Sequence, residues 1–248
     1  MRAPPTGSRP PSPLPRAPLP GLTPRMAASA SRTVLFDFGY VLTGPQDVSA
    51  FDPLLAELRL GRVAFLEAWG RHRAGFDSGA LEARAYWERV LSEAGLAGAA
   101  DWVGAHFERI MRADLGAWAT PRKAMHVLVG RLLDASVPVG ILSNMPPGAG
   151  AKWMALWPAL DRVPLKLWSG DEGLAKPDPA IYRLFLERSG WRAEDTLFVD
   201  DVRRNVEAAA ALGFATHLFE GENAAVAAVE DWVAPALSRP RERSATRG

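Results

Sequence analysis

Residues 34–43 read VLFDFGYVLT, an apolar run that ends at the carboxylate of Asp37 and then breaks at Gly39. No charge interrupts residues 34–36, which is typical of a short strand buried on both faces of a parallel sheet. A carboxylate at the carboxyl end of such a strand lies where open α/β sheets bind their ligands. Taken alone, however, Asp37 is explained as well by hydrogen bonds to the amides of the following turn.

Similar apolar segments recur later in the chain, each followed by a helical pattern. We expect strands at residues 137–142, 165–168, 196–199 and 214–218, with amphipathic helices between them. Strands that alternate with helices indicate right-handed βαβ units and a parallel sheet. The predicted fold class is therefore α/β.

Residues 48–117 interrupt this alternation, because apolar residues there recur at helical spacing with almost no strand signal. Within this block, residues 77–79 predict a turn, and Ser78 is a plausible N-cap for a helix over residues 80–94. We interpret the block as an all-helical cap, residues 45–117, inserted into a core made of residues 32–44 and 118–232.

The two ends of the chain differ in composition from the centre. Residues 1–31 are rich in Pro, Arg, Ser and Ala without an acidic residue, which predicts a disordered arm, and Met26 is the start that we favour. Residues 236–248 predict a disordered basic tail. Nine arginines lie in residues 1–32 and 236–248 against one glutamate, although the whole chain has a net charge of +1. The region between is therefore acidic, and we expect no nucleic-acid partner.

Composition also excludes several classes of protein. The chain has no cysteine, which excludes disulfides, thiolate catalysis and zinc–cysteine sites. Its four histidines are scattered without the spacing of metal ligands. No run of about 18 apolar residues exists, so we expect no membrane partner. The expectation is a cytoplasmic monomer or homodimer.

Polar residues follow four of the predicted strands or loops: Asp37, Ser143-Asn144, Lys176 and Asp200-Asp201. Each has an ordinary explanation, since turns, solvated lysines and helix-capping aspartates are common. The carboxyl ends of parallel strands, however, lie on one edge of the sheet, where all four can converge. Adjacent carboxylates there repel one another unless a cation neutralises them.

These residue types fit one kind of chemistry. A carboxylate such as Asp37 can attack phosphorus and form an acyl phosphate. Oxygen ligands from Asp37 and Asp201 with a backbone carbonyl suit Mg²⁺. Ser143, Asn144 and Lys176 are candidate phosphate-binding residues, and Lys176 would also neutralise charge on the phosphoryl oxygens.

The same residues resemble the four motifs of the haloacid dehalogenase-like hydrolase superfamily, in family order. The matching segments are FDFGYVL at 36–42, LSN at 142–144, KPDPAIY at 176–182 and FVDDVRRN at 198–205. The resemblance spans residues 32–219 and is nearest to the small helical-cap members similar to glucose-1-phosphate phosphatases. It implies a Rossmann-like three-layer core and a small phosphorylated metabolite as substrate.

The resemblance also implies roles for single residues. Asp37 would be the nucleophile, and Mg²⁺ would be held by Asp37, the Gly39 carbonyl and Asp201, with Asp200 helping indirectly or through a metal-bound water. The departure is Gly39, where family phosphatases normally carry a second aspartate. That aspartate protonates the leaving group, and such general acid–base help is typically worth about 10²–10⁴-fold in rate.

Three functions stay open from the sequence. The first is a Mg²⁺-dependent phosphatase that works through an Asp37 acyl phosphate. The second is a 2-haloacid dehalogenase, whose branch also lacks the second aspartate and has a tyrosine near Tyr182, although the Asp200-Asp201 pair argues against it. The third is a catalytically weak binding or regulatory protein, which Gly39 favours and the intact Lys176 opposes.

Two sets of side chains in residues 45–118 have both a packing and a binding interpretation. Amphipathic helix packing explains the tryptophans better than sugar stacking, and the set comprises Trp69, Trp87, Trp102 and Trp118. For residues 71–73, Arg-His-Arg, we expect a solvated charged face rather than contact with an anionic substrate.

Overall fold

The computed structural model describes residues 32–237, and a five-stranded parallel sheet lies at its centre. The strands are β1 (Thr33–Phe36), β2 (Val139–Ser143), β3 (Leu165–Trp168), β4 (Thr196–Asp200) and β5 (Ala215–Leu218). Their order across the sheet is β3-β2-β1-β4-β5, and every neighbouring pair is parallel. The predicted α/β fold is confirmed.

Helices cover both faces of the sheet because its strands are apolar on both sides. Val34 and Phe36 pack with one set of helices, and Leu35 packs with the other. The helices that follow residue 120 are α6 (Lys123–Asp134), α7 (Ala149–Leu156), α8 (Pro158–Asp161), α9 (Ser169–Glu172), α10 (Pro179–Ser189), α11 (Arg203–Ala210) and α12 (Glu222–Leu237). A short 3₁₀ helix at Ala193–Asp195 precedes β4.

One glycine in the sheet lets a helix pack closely against it. A Cβ atom built on Gly140, in the middle of β2, would lie 2.5 Å from the Phe185 ring of α10. Any larger residue would push α10 away from the sheet.

Residues 48–117 form a helical insertion between β1 and β2, after a 3₁₀ turn at Val48–Phe51. Its helices are α1 (Asp52–Leu58), α2 (Arg62–Arg71), α3 (Arg73–Asp77), α4 (Ala83–Glu93) and α5 (Ala99–Ala117). These helices share an apolar cluster of their own, separate from the two clusters on the faces of the sheet. Trp87 and Tyr86 are fully buried in it, in keeping with the packing role predicted for the insertion's tryptophans.

Two details of the sequence interpretation are wrong. Ser78 does not cap a helix at residue 80: its backbone is helical, and its hydroxyl donates to the Gly75 carbonyl at the end of α3. The extended residue Glu82 caps α4 instead, through the amides of Arg84 and Ala85. In addition, α12 continues to Leu237, so residues 236 and 237 of the predicted tail are helical.

Residues 1–31 and 238–248, for which a disordered arm and tail are predicted, lie outside the described residues. No helix within residues 32–237 is long and apolar enough to cross a membrane.

Candidate active site

The carboxyl ends of three central strands bring Asp37, Ser143 and Asp200 together. Asp37 directly follows β1, and its amide donates to the Val199 carbonyl at 2.9 Å, which continues the pairing of β1 with β4. Ser143 and Asp200 are the last residues of β2 and β4. The parallel register therefore produces the convergence expected from the sequence.

Lys176 lies between two of these carboxylates. Its Nζ is 2.8 Å from Asp37 Oδ1 and 2.6 Å from Asp200 Oδ2, and its side chain is 1% exposed. Asn144 fixes the Lys176 main chain in both directions: its Oδ1 accepts from the Lys176 amide at 2.8 Å, and its Nδ2 donates to the Lys176 carbonyl at 2.9 Å. The Asn144 side chain thus positions Lys176, whereas phosphate binding by Asn144 stays a prediction.

Asp200 is almost saturated with hydrogen bonds. Besides Lys176, it accepts from the Val202 amide at 2.8 Å and from Asn205 Nδ2 at 3.1 and 3.2 Å. No role is predicted for Asn205 from the sequence, although its position five residues after Asp200, at the start of α11, indicates a contact with that carboxylate. Asp200 is therefore better suited to hold Lys176 than to bind a metal directly.

Asp201 completes a group of three carboxylates. One carboxylate oxygen each from Asp37, Asp200 and Asp201 lies within 4.8 Å of the others. Burial, together with the charges of Asp200 and Asp201, raises the pKa of Asp37 to about 7 against the attraction of Lys176. Burial and Asp200 also raise the pKa of Asp201.

Three carboxylates therefore share one lysine, which leaves excess negative charge in a site with little water to screen it. Hard oxygen ligands and surplus charge are what Mg²⁺ requires. Asp37 Oδ1 accepts from Lys176 and from the Phe38 amide, while its Oδ2 has no partner among the described residues. The donor set fits a divalent cation at Asp37 and Asp201.

The chain turns sharply after Asp37. The Gly39 carbonyl, a predicted metal ligand, accepts from the Val41 amide at 2.7 Å, and Tyr40 between them has a φ of 56°. A carbonyl oxygen has two lone pairs, so one stays available to a ligand. A Cβ atom on Gly39 would lie 3.3 Å from Cζ3 of Trp118, so an indole ring occupies the space beside the missing side chain.

A cavity of about 60 Å³ separates this edge of the sheet from the helical insertion. Ser143 lines it, is 2% exposed, and makes no side-chain hydrogen bond with the described residues, so its hydroxyl is free for a ligand. The other core residues on its wall are Phe38, Gly39, Asn144, Met145, Pro146, Ala149, Lys152 and Trp153.

The insertion contributes a half-buried charge cluster to the wall of this cavity. Arg73 donates from Nε to Asp77 and from Nη1 to Asp114, both at 2.8 Å, and all three residues line the cavity. The expectation of a solvated face is thus wrong for Arg73, whose side chain is 19% exposed, whereas Arg71 is 61% exposed. Asp77 and Asp114 were not predicted from the sequence, because a helical pattern does not show which acidic residues of the insertion face the core of the protein.

Comparisons with known proteins agree with the fold. A model of the haloacid dehalogenase-like hydrolase family matches residues 32–213. A solved 2-haloacid dehalogenase from Pseudomonas syringae is similar with a TM-score of 0.60 and 16% identity, over 83% of this chain and 99% of that chain.

A second solved structure is a HAD family enzyme from Bacteroides thetaiotaomicron, similar with a TM-score of 0.58 and 19% identity over 76% of this chain and 93% of that one. The same enzyme in complex with magnesium and inorganic phosphate has a TM-score of 0.53. At these identities the structural likeness shows the fold alone.

Among curated proteins, mouse acyl-CoA dehydrogenase family member 10 is 37% identical over 59 residues. These residues are 24% of this chain and only 6% of that protein.

Proposed function

The chain belongs to the haloacid dehalogenase-like hydrolases, and we propose that it is a Mg²⁺-dependent phosphatase of small phosphate monoesters. The observation that carries the proposal is the position of Lys176, in contact with Asp37 and Asp200, while Asp201 beside them forms no ion pair within the described residues. The positive charges of Lys176 and Arg122 act on Asp201 only from beyond ion-pair distance. A reaction that uses no metal cation has no need of this surplus of carboxylates.

In the proposed reaction, Asp37 attacks phosphorus, the bond to the leaving oxygen breaks, and an aspartyl phosphate forms that water then hydrolyses. Lys176 neutralises charge on Asp37 and on the phosphoryl oxygens. The free hydroxyl of Ser143 donates to a phosphoryl oxygen. Asp37, the Gly39 carbonyl and Asp201 would hold Mg²⁺, which supplies positive charge next to the phosphate.

The substrate class follows from the cavity. Its wall combines aromatic rings with the carboxylates of Asp77 and Asp114, which can accept hydrogen bonds from hydroxyl groups. A sugar phosphate is therefore the first class to screen. A cytoplasmic location, a monomeric or homodimeric state and the absence of a nucleic-acid partner stay predictions.

A 2-haloacid dehalogenase is the second candidate. The fold is shared with the Pseudomonas syringae enzyme, and Gly39 supplies no acid–base side chain. In this reaction Asp37 would attack carbon and displace a halide without a metal. The carboxylate pair of Asp200 and Asp201 is the feature that disfavours it.

The test is hydrolysis of 4-nitrophenyl phosphate with Mg²⁺ and with EDTA, in parallel with halide release from 2-chloropropionate. We expect phosphate release that requires Mg²⁺ and falls by at least about 10⁴-fold in Asp37→Asn, because the nucleophile is lost. Asp134→Asn, at an exposed ion pair with Arg162, is the matched control and should keep full activity. Metal-independent halide release without phosphate release would replace the proposal with the dehalogenase.

A further inference from the structure

No acid is available at Gly39 to protonate a leaving group, and the neighbouring space is closed. The Trp118 ring lies 3.3 Å from the Cβ position of Gly39 and packs edge-on against Tyr40, with 5.4 Å between ring centroids. A strongly basic leaving group still requires a proton as it departs. The proton must therefore come from another wall of the cavity.

Four charged side chains line this cavity: Arg73, Asp77, Asp114 and Lys152. Arginine does not release a proton near neutral pH, and Lys152 lies on the exposed side of α7. Asp114 is 7% exposed, and one of its oxygens already accepts hydrogen bonds from both Arg73 and the Trp69 indole. Asp77 is the remaining group of the four, and its carboxyl accepts a side-chain hydrogen bond from Arg73 alone within the described residues.

The Asp77 carboxyl is both held and accessible. Its Oδ1 accepts from Arg73 Nε, its Oδ2 has no partner within the described residues, and its side chain is 18% exposed. Burial raises the pKa of Asp77 to about 6, although Arg73 opposes the shift. A carboxyl of this kind is partly protonated near neutral pH, which is the range in which a general acid works best.

The main chain around Asp77 is docked onto the core, so its position relative to the phosphate-binding loop is fixed. Ser169 donates from its hydroxyl to the Asp77 carbonyl, and the same oxygen accepts from the Met145 amide at 2.9 Å. Ser169 is fully buried. Two residues further on, Gly79 lies so close to Gly170 that a Cβ atom would be 2.8 Å from its carbonyl oxygen.

We propose that Asp77 is the general acid and base of this enzyme, delivered by the helical insertion in place of the absent side chain at residue 39. The inference rests on the proposed phosphatase function. Protonated Asp77 gives its proton to the bridging oxygen while the bond from phosphorus to that oxygen breaks and phosphorus bonds to Asp37. An alcohol leaves.

In the second step the Asp77 carboxylate takes a proton from the water that attacks phosphorus. The bond between phosphorus and Asp37 breaks, inorganic phosphate forms, and Asp77 is protonated again. The same side chain thus serves as acid and then as base, and no further reactant is needed.

The test compares two esters of nearly equal size, 4-nitrophenyl phosphate and 4-nitrobenzyl phosphate, with Mg²⁺ and with phosphate release as the readout. The phenolate departs readily without a proton, whereas the benzyl alkoxide does not. We expect Asp77→Asn to lower kcat/KM for the nitrobenzyl ester about 10²–10⁴-fold more than for the nitrophenyl ester. The ratio of the two rates on one preparation does not depend on the fraction of the variant that is folded.

Asp134→Asn, at the exposed ion pair with Arg162, is the control, because Asp134 does not line the cavity. It should leave both rates and their ratio as in the wild type. An unchanged ratio in Asp77→Asn would overturn the inference, as would a wild type that hydrolyses the nitrophenyl ester alone. A wild type that hydrolyses neither ester would instead refute the proposed phosphatase function itself.

Discussion

Two cations in this protein each lie between two carboxylates, a buried one in the core and a half-buried one in the helical insertion. Lys176 contacts Asp37 and Asp200 at the edge of the sheet. Arg73 contacts Asp77 and Asp114 on the wall of the cavity, which Gly39 and Ser143 of the sheet edge also line. The two clusters have the same charge pattern.

They differ in how well each is neutralised. The Arg73 guanidinium lies within 6 Å of the ring centres of Trp69, Phe76 and Trp118, and a tryptophan N–H also binds Asp114. The Lys176 cluster has a further carboxylate, Asp201, beside it. Asp201 forms no ion pair within residues 32–237, although the charge of Arg122 acts on it from beyond ion-pair distance. The Arg73 cluster therefore carries one carboxylate in excess of its cation, whereas the Lys176 cluster with Asp201 carries two. The larger excess of negative charge favours the binding of a further cation.

The largest effect that separates the two clusters is expected from Lys176→Met. The change leaves Asp37 and Asp200 buried without their cation and should lower the free energy of unfolding by about 3–5 kcal/mol. Mg²⁺ should restore part of the loss, because it binds the same carboxylates. Urea unfolding with EDTA and with Mg²⁺ measures both quantities, and a loss that Mg²⁺ does not change would argue against a metal at this edge.

Arg73→Met should lower the free energy of unfolding by less, about 2–3 kcal/mol. The Arg73 side chain is 19% exposed, so the carboxylates that it contacts are partly hydrated. Mg²⁺ should not restore this loss. If Mg²⁺ restored the free energy of unfolding equally in Arg73→Met and Lys176→Met, the claim that only the Lys176 cluster binds a metal would be wrong.

The Arg73→Met variant should also lose stability as the pH rises. The pKa of Asp77 is about 6 in the folded protein against an ordinary value of 3.8, and without the guanidinium it should rise further. A carboxyl with a higher pKa in the folded state takes up protons on folding, so stability falls as the pH increases between the two values. The deficit relative to the wild type should therefore be larger above neutral pH than in mild acid.

The smallest loss of stability is expected from Gly79→Ala. This variant tests the close contact between the insertion and the core rather than either charge cluster. Gly79 has a φ of 74°, and a methyl group there would also meet the Gly170 carbonyl. Strain of this kind costs about 1–2 kcal/mol. Gly75→Ala in α3 is the control: its methyl group would meet Leu81 at an ordinary 3.5 Å, and alanine favours a helix. In thermal unfolding, the Tm should fall for Gly79→Ala and rise slightly for Gly75→Ala. Equal destabilisation of the two variants would contradict the docking argument.

The two clusters also differ in how far the sequence predicted them. Asp37, Ser143, Lys176 and the aspartate pair were identified because each follows a strand or lies in a loop at the carboxyl edge of the sheet. Parallel strands have one such edge, so order along the chain is enough to predict proximity. Arg73, Asp77 and Asp114 lie on helices, where every third or fourth residue shares a face and most charged faces are solvated. The sequence therefore favoured the wrong environment for Arg73.

Amino-acid sequence by itself determined the parallel α/β fold, the helical insertion and the convergence of the polar residues, because hydrophobic periodicity and strand direction are local properties. Tertiary structure alone decided that Asn144 holds the Lys176 backbone, that Trp118 fills the space beside Gly39, and that Asp77 faces the cavity. Each of these depends on how the helical insertion or a distant loop packs against the core. Packing of this kind joins residues far apart in the chain, and no local pattern encodes it.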